Sequence, residues 1–158
     1  IHRITGKRVV MHTHQPWAVA LNMLEDNRLL PASQTNSLFA SLISYDDNYT
    51  GLATMTEEGE RLAGALGKKS ILFMKNHGVM AATNSIASAF KLLYLLERAC
   101  RTQVLAMSTG KPLSLISPEI VDSLQKPSEN DRHKDVRTSL FFEAMKRLLD
   151  RDMPGYAE

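Results

Sequence analysis

Three short apolar runs, Val9–Met11, Ile71–Met74 and Val79–Ala82, constrain this chain more than any other feature. Each is too short for a helix and is bounded by turn-forming or polar residues, which reads as a buried strand. The stretches between them follow a different period. Glu57–Leu66 is helical, with Gly67 as its stop. The longest helix is expected over Ile86–Met107, with Asn84 as N-cap and an apolar stripe of Ile86, Phe90, Leu93, Glu97, Cys100 and Val104, filled in by Ala89 and Leu96. Gly110 and Pro112 end it. Strands alternating with helices point to a layered α/β domain.

The first strand is expected over Arg8–His14, and Pro16 then opens a short helix to Leu24. Asp26, Asn27 and Pro31 mark a loop, and Ser37–Ser44 fits neither the helical nor the strand period. Asp46, Asp47, Asn48 and Gly51 read as a turn-rich loop. Ser117-Pro118 starts another short helix, Gln125–His133 reads as a polar surface loop, and a last helix covers Asp135–Asp150. Its apolar face is expected to be Val136, Leu140, Ala144 and Leu148, widened by Phe141 and Met145. Residues 1–115 are read as one domain, and 116–158 as C-terminal helices packed on it.

Composition excludes several function classes. Nineteen basic against seventeen acidic residues give a net charge of +2, too balanced for a nucleic-acid or anionic-membrane partner. No apolar run approaches the roughly 20 residues of a bilayer span. The polar, basic start has no signal-peptide core, and the single Cys100 forms no internal disulfide, which suits the cytoplasm. The chain opens at Ile1 without methionine and reads from its first residues as the middle of a structural unit, so an N-terminally incomplete domain is expected.

The chemistry concentrates in histidines. His12 and His14 are separated by one residue on a strand, so both side chains project to the same face. Two adjacent imidazoles repel if both are protonated, and a shared divalent cation makes the neutral form useful. His77 lies at the break between the second and third apolar runs. It completes a three-nitrogen set if those runs lie beside the first; read alone, a histidine before a glycine such as Gly78 is more often a turn residue. Cys100 falls within the helical apolar stripe and reads as core, so no fourth ligand closes the set. Three histidines without a fourth protein ligand form an open site, the pattern of catalytic metals. His2 and His133 read as surface histidines.

Val9-Val10-Met11-His12-Thr13-His14-Gln15-Pro16 resembles the metal-binding strand of the class II aldolase/adducin family, and Leu72-Phe73-Met74-Lys75-Asn76-His77-Gly78-Val79 resembles its Asn-His-Gly signature. The resemblance runs from about Ile1 to Gly110. It implies a three-layer α/β/α fold with a central, mostly antiparallel sheet, and it implies His12, His14 and His77 as ligands of a divalent metal, zinc first, with manganese, cobalt or iron(II) as alternatives. The chemistry implied is aldol-type cleavage of a small hydroxy-carbonyl or sugar-phosphate-like substrate, with the metal stabilising an enediolate; related members are epimerases or decarboxylases, and adducins are non-catalytic interaction modules. A homotetramer is implied as well. The family's acid/base carboxylate would lie upstream of Ile1. Asp46 and Asp47 are the nearest carboxylate pair within the chain but read as turn-formers. Tyr49 (or Tyr45) resembles a tyrosine lining the site, and Tyr156 one contributed by a neighbouring subunit.

Overall fold

The protein is described by a computed structural model that covers residues 1–49, 51, 56–126 and 133–156. Among these residues there are four strands, β1 (Val9–Thr13), β2 (Ile43–Asp46), β3 (Ile71–Met74) and β4 (Gly78–Thr83). The helices are α1 (His2–Thr5), α2 (Pro16–Asn22), α3 (Gln34–Ser37), α4 (Thr56–Leu66), α5 (Ile86–Met107), α6 (Pro118–Gln125) and α7 (Lys134–Asp152). The sheet order is β1-β4-β3-β2. The β1–β4 and β4–β3 pairs are antiparallel, and β3–β2 is parallel. The sheet is thus mostly antiparallel. The one parallel pair needs a crossover, and α4 lies on it.

Side-chain alternation sorts the sheet's two faces. Ile71 and Phe73 of β3, with Val79 and Ala81 of β4, pack against Ala18 and Leu21 of α2 and Leu93, Leu96 and Cys100 of α5. Leu72 and Met74, with Met80 and Ala82, pack on the other side against Leu62 and Leu66 of α4. Helices on both faces make three layers. Strands β3 and β4 are buried along their whole length, which explains why they are continuously apolar rather than alternating. No helix among the described residues is long and apolar enough to cross a membrane.

Several local expectations are corrected. The ambiguous stretch before Tyr45 resolves into α3 and β2. Asp46 is the last residue of β2 and is buried, not part of a loop. The α5 cap is Ser85, whose hydroxyl accepts from the Ser88 N–H at 3.2 Å; Asn84 stands one residue too early, a register that composition alone does not distinguish. The α5 stripe is rotated, with Ala89, Leu93, Leu96, Ala99, Cys100 and Gln103 buried and Ile86 55% exposed. On α7, Val136, Leu140 and Leu148 face solvent. The helix docks through Phe141, which was expected on this face, and through Phe142, which was not; their rings lie 6.3 and 5.6 Å from that of Phe90. Two aromatic rings bury more area than the branched aliphatics they displace. The expected loop at Gln125–His133 begins with the end of α6, and residues 127–132 of it lie outside the described residues.

Cys100 is fully buried in the α2/α5 core. Burial, with Glu97 nearby, pushes its thiol up to about 12. At neutral pH it is expected to resist alkylation by iodoacetamide until the protein unfolds; stoichiometric labelling of the native protein would contradict this placement.

Candidate metal centre

Strand β1 carries His12 opposite Met80 of β4, and Thr13 opposite Val79. This pairing brings the two ends of the chain's histidine pattern together. His12 and His14 project on the α4 side of the sheet, as period-two spacing requires. Helix α4 packs over β2 and β3, and His12 and His14 on the β1 part of this face are exposed. His77 sits in the tight connection between β3 and β4, closed by the His77 N–H donating to the Met74 carbonyl at 3.0 Å. Asn76 takes the left-handed conformation there (φ 57°), which Asn tolerates better than most residues.

The three rings form a nearly equilateral triangle. Their centroids are 4.8 Å (His12–His14), 4.7 Å (His12–His77) and 4.8 Å (His14–His77) apart. One nitrogen from each ring lies within 4.8 Å of the other two. His12 Nδ1 is 3.1 Å from the Val79 carbonyl oxygen. A carbonyl only accepts, so Nδ1 carries the hydrogen and Nε2 presents its lone pair; the tautomer is assigned from this partner. That Nε2 lies 2.9 Å from Nε2 of His14. Such a contact needs a proton or a cation between two nitrogens that otherwise oppose lone pairs. Burial, then the neighbouring His14, holds His12 below the ordinary imidazole value of 6.5 despite the opposing Val79 bond. Burial, then His12 and His14, does the same for His77 against the pull of Glu58. Neutral imidazole is the ligating form. The residues present therefore fit a divalent cation.

Gly78 is required by close approach. A Cβ built there would lie 2.6 Å from the Thr13 carbonyl oxygen and 2.8 Å from Cδ2 of His14. The rings can converge only because this position has no side chain.

Beside His77 is a small recess lined by Asp46, Asn48, Tyr49, Glu58 and Arg61. Arg61 donates to both oxygens of Asp46 (2.7 and 2.8 Å) and to both of Glu58 (2.8 and 2.7 Å). These bonds, Glu58 first and then Asp46, raise the guanidinium pKa further above its already high value. Asp46 is thus locked to Arg61, which sequence reasoning missed because the partner lies across the α4 crossover. Replacing Asp46 with Ala is expected to cost about 1–2 kcal/mol, discounted because Arg61 is partly exposed and keeps Glu58. This corresponds to a fall of about 3–6 °C in Tm for a domain this size; an unchanged Tm would contradict it. A larger cavity, near 450 Å³, lies between α3 and the C-terminal end of α5. It shares no lining residue with the histidines, and the Gln103 carboxamide facing it is engaged by Leu30, Asn36 and Arg28.

The model of the Class II Aldolase and Adducin N-terminal domain matches residues 1–104. The chain belongs to the class II aldolase and adducin family. A protein of Caulobacter vibrioides named for aldolase class 2 is 34% identical over 150 residues, covering 94% of this chain and 57% of its own length. The chain thus spans a little over half the length of that relative. An aldolase II superfamily protein from Pseudomonas syringae superposes with a TM-score of 0.86 at 29% identity, over 100% of this chain and 62% of that one. An L-fuculose 1-phosphate aldolase from Glaciozyma antarctica PI12 shares the fold (TM-score 0.70, 20% identity, 90% of this chain and 53% of that one).

Members of this superfamily generally use a divalent metal, bind small-molecule substrates and often form oligomers. In this member, Tyr49 stands at the rim of the histidine triangle, its ring 6.2 Å from that of His77 and 54% exposed. Tyr156 is on the exposed turn after α7, paired with Asp150. Tyr45 does not line the site: it is mostly buried under the Arg28 guanidinium, and its hydroxyl accepts from the Leu29 N–H. Asp47 is held by Arg28 at 3.0 and 2.6 Å, with its carboxyl below the usual range.

Proposed function

We propose that this chain holds the metal of a divalent-metal-dependent lyase that cleaves a carbon–carbon bond in a small hydroxy-carbonyl or sugar-phosphate-like compound. One observation carries the reading: three imidazoles converge within 4.8 Å, and Val79 aims the His12 Nε2 lone pair inward. His12, His14 and His77 are the ligands in this reading, and zinc is the first candidate, with manganese, cobalt and iron(II) also compatible with open histidine sites. A bound divalent ion supplies Lewis-acid stabilisation of negative charge on substrate oxygen. The protein fixes the tautomer of His12 through Val79, favours the neutral form of His12 and His77 by desolvation and leaves one side of the triangle open, with Tyr49 at its edge. Tyr156 is assigned to a site shared with a second subunit of a cytoplasmic homotetramer.

The test uses the full-length protein. Elemental analysis should find about one divalent ion per chain, followed by assays of aldol cleavage, epimerisation and decarboxylation on hydroxy-carbonyl substrates. Absence of bound metal in wild-type protein sinks the reading. Metal-loaded protein inert towards every substrate would instead favour a non-catalytic, adducin-like module.

Acid should destabilise the metal-free protein. His12 and His77 sit below 6.5 in the folded chain and return to that value on unfolding. The unfolded state therefore takes up protons first as pH falls below 6.5, and stability of the metal-free protein is lost in that direction. The denaturation midpoint is expected to be lower at about pH 5.5 than at about pH 7.5, and a higher midpoint at the acid value would reverse the assignment.

A further inference from the structure

We propose that Asn22 is a positioning residue for this centre, clamping the Asn76-His77-Gly78 connection to α2 so that the His77 ring faces His12 and His14. The inference rests on the metal reading above, but its structural core does not. Asn22 is the last residue of α2 and is 0% exposed. Its backbone carbonyl belongs to the helix end, where carbonyls lack helical donors; it accepts from the Asn76 N–H at 3.2 Å. Its side-chain Nδ2 donates to the Gly78 carbonyl at 2.9 Å. The two bonds bracket His77, one on each side.

The carboxamide is itself held. Asn27, 1% exposed, donates from Nδ2 to Asn22 Oδ1 at 3.1 Å, which fixes which end of the Asn22 amide faces Gly78. Asn27 Oδ1 in turn accepts from Arg28 Nη1 at 3.1 Å. Burying two carboxamides is unfavourable unless their groups are bonded. The neighbouring buried positions on α2, Ala18 and Leu21, are apolar. An apolar residue at position 22 would pack there too, but would leave Gly78 without its donor.

The other end of α2 explains why this clamp matters. The helix begins just after His14, and its Trp17 and Ala18 N–H groups donate to Glu97 Oε1 and Oε2 at 2.9 and 3.0 Å. Helix α2 is thus a short strut fixed at both ends. One end follows the segment carrying His14; the other holds the connection carrying His77. The opposite flank of that connection is held at Lys75, whose N–H donates to the Asp46 carbonyl at 2.9 Å and whose Nζ donates to the Glu25 carbonyl at 3.1 Å.

The test compares wild-type full-length protein with Asn22→Ala, Asn27→Ala and a control, Asn36→Ala, a buried asparagine beside Ser33 and Gln103. Two quantities are read: cobalt(II) affinity with its visible spectrum, and amide hydrogen exchange at Asn76 and His77. Asn22→Ala should weaken cobalt binding by about 10–100-fold, the range for partners that orient metal ligands. It should also shift the visible bands and speed exchange at the connection by about tenfold or more. Asn36→Ala should leave cobalt affinity within about threefold, since distant sites act independently. A folded Asn22→Ala with wild-type cobalt affinity, spectrum and exchange overturns the proposal. If wild-type protein binds no cobalt, the metal reading falls, and exchange alone decides the clamp: unchanged rates overturn it. If Asn22→Ala does not fold, Asn27→Ala serves, since it frees the amide that Asn27 orients; unchanged cobalt binding and exchange there overturn the proposal equally.

Discussion

Replacing His77 with alanine removes stoichiometric divalent-metal binding from the full-length protein and leaves the sheet intact. Partners that merely orient a ligand are worth about 10–100-fold in affinity, so a ligand itself is worth at least about 100-fold. The remaining pair, His12 and His14, offers two nitrogens from one strand segment, below the three protein ligands of open catalytic sites. The fold should tolerate the change. His77 lies on a partly exposed connection, and its backbone N–H bond to Met74 survives the substitution. Cobalt titration and elemental analysis read the first half, and the melting temperature of metal-free protein reads the second. A variant that holds metal as tightly as wild type would show that the triangle of rings is a packing cluster and not a metal centre.

Gly78→Ala is expected to cost at least about 3 kcal/mol, towards the upper end for overpacked sites. The reason is the identity of the atoms met. A flexible side chain can swing away from an added Cβ, but the Thr13 carbonyl oxygen, 2.6 Å away, is part of the β1 backbone. Relief requires β1 and β4 to separate where they pair through Thr13 and Val79. The same movement pushes on His14, whose Cδ2 is 2.8 Å from the new methyl position, and on His12, whose Cε1 is 3.1 Å away. Two effects should therefore appear together: a fall in Tm of about 6–12 °C and a loss of cobalt affinity beyond that of an equally destabilising change elsewhere. A Tm equal to wild type would refute the close approach.

Much of this architecture was legible because it follows from local periods. The runs at Ile71 and Val79 are apolar because β3 and β4 are buried along their length, and central strands covered on both faces cannot alternate; β1, expected to be buried, stands at the end of the described sheet and is only half-buried. The common face of His12 and His14 follows from the geometry of one strand. Elements whose register depends on a partner were misread. The α5 stripe is rotated because Glu97, which fits the apolar period, instead caps α2 from a distance. The α7 face is rotated because Phe141 and Phe142 find Phe90 and Tyr94. Asp46 resembled a turn residue because nothing near it in the chain announces Arg61.

The three-histidine site divides along the same line. Local sequence was enough to place two imidazoles on one face and to show the Asn-His-Gly segment interrupting an apolar pair, and these motifs carried the family resemblance. It took the assembled core to pair β4 directly with β1, to let the rings meet over Gly78, and to set the tautomer of His12 through Val79. The clamp at Asn22 and the locking of Asp46 were likewise invisible in the chain. Side-chain direction along a strand is a property of the local backbone, whereas strand order, close approach and hydrogen-bond partners across long separations are fixed only when the whole core assembles.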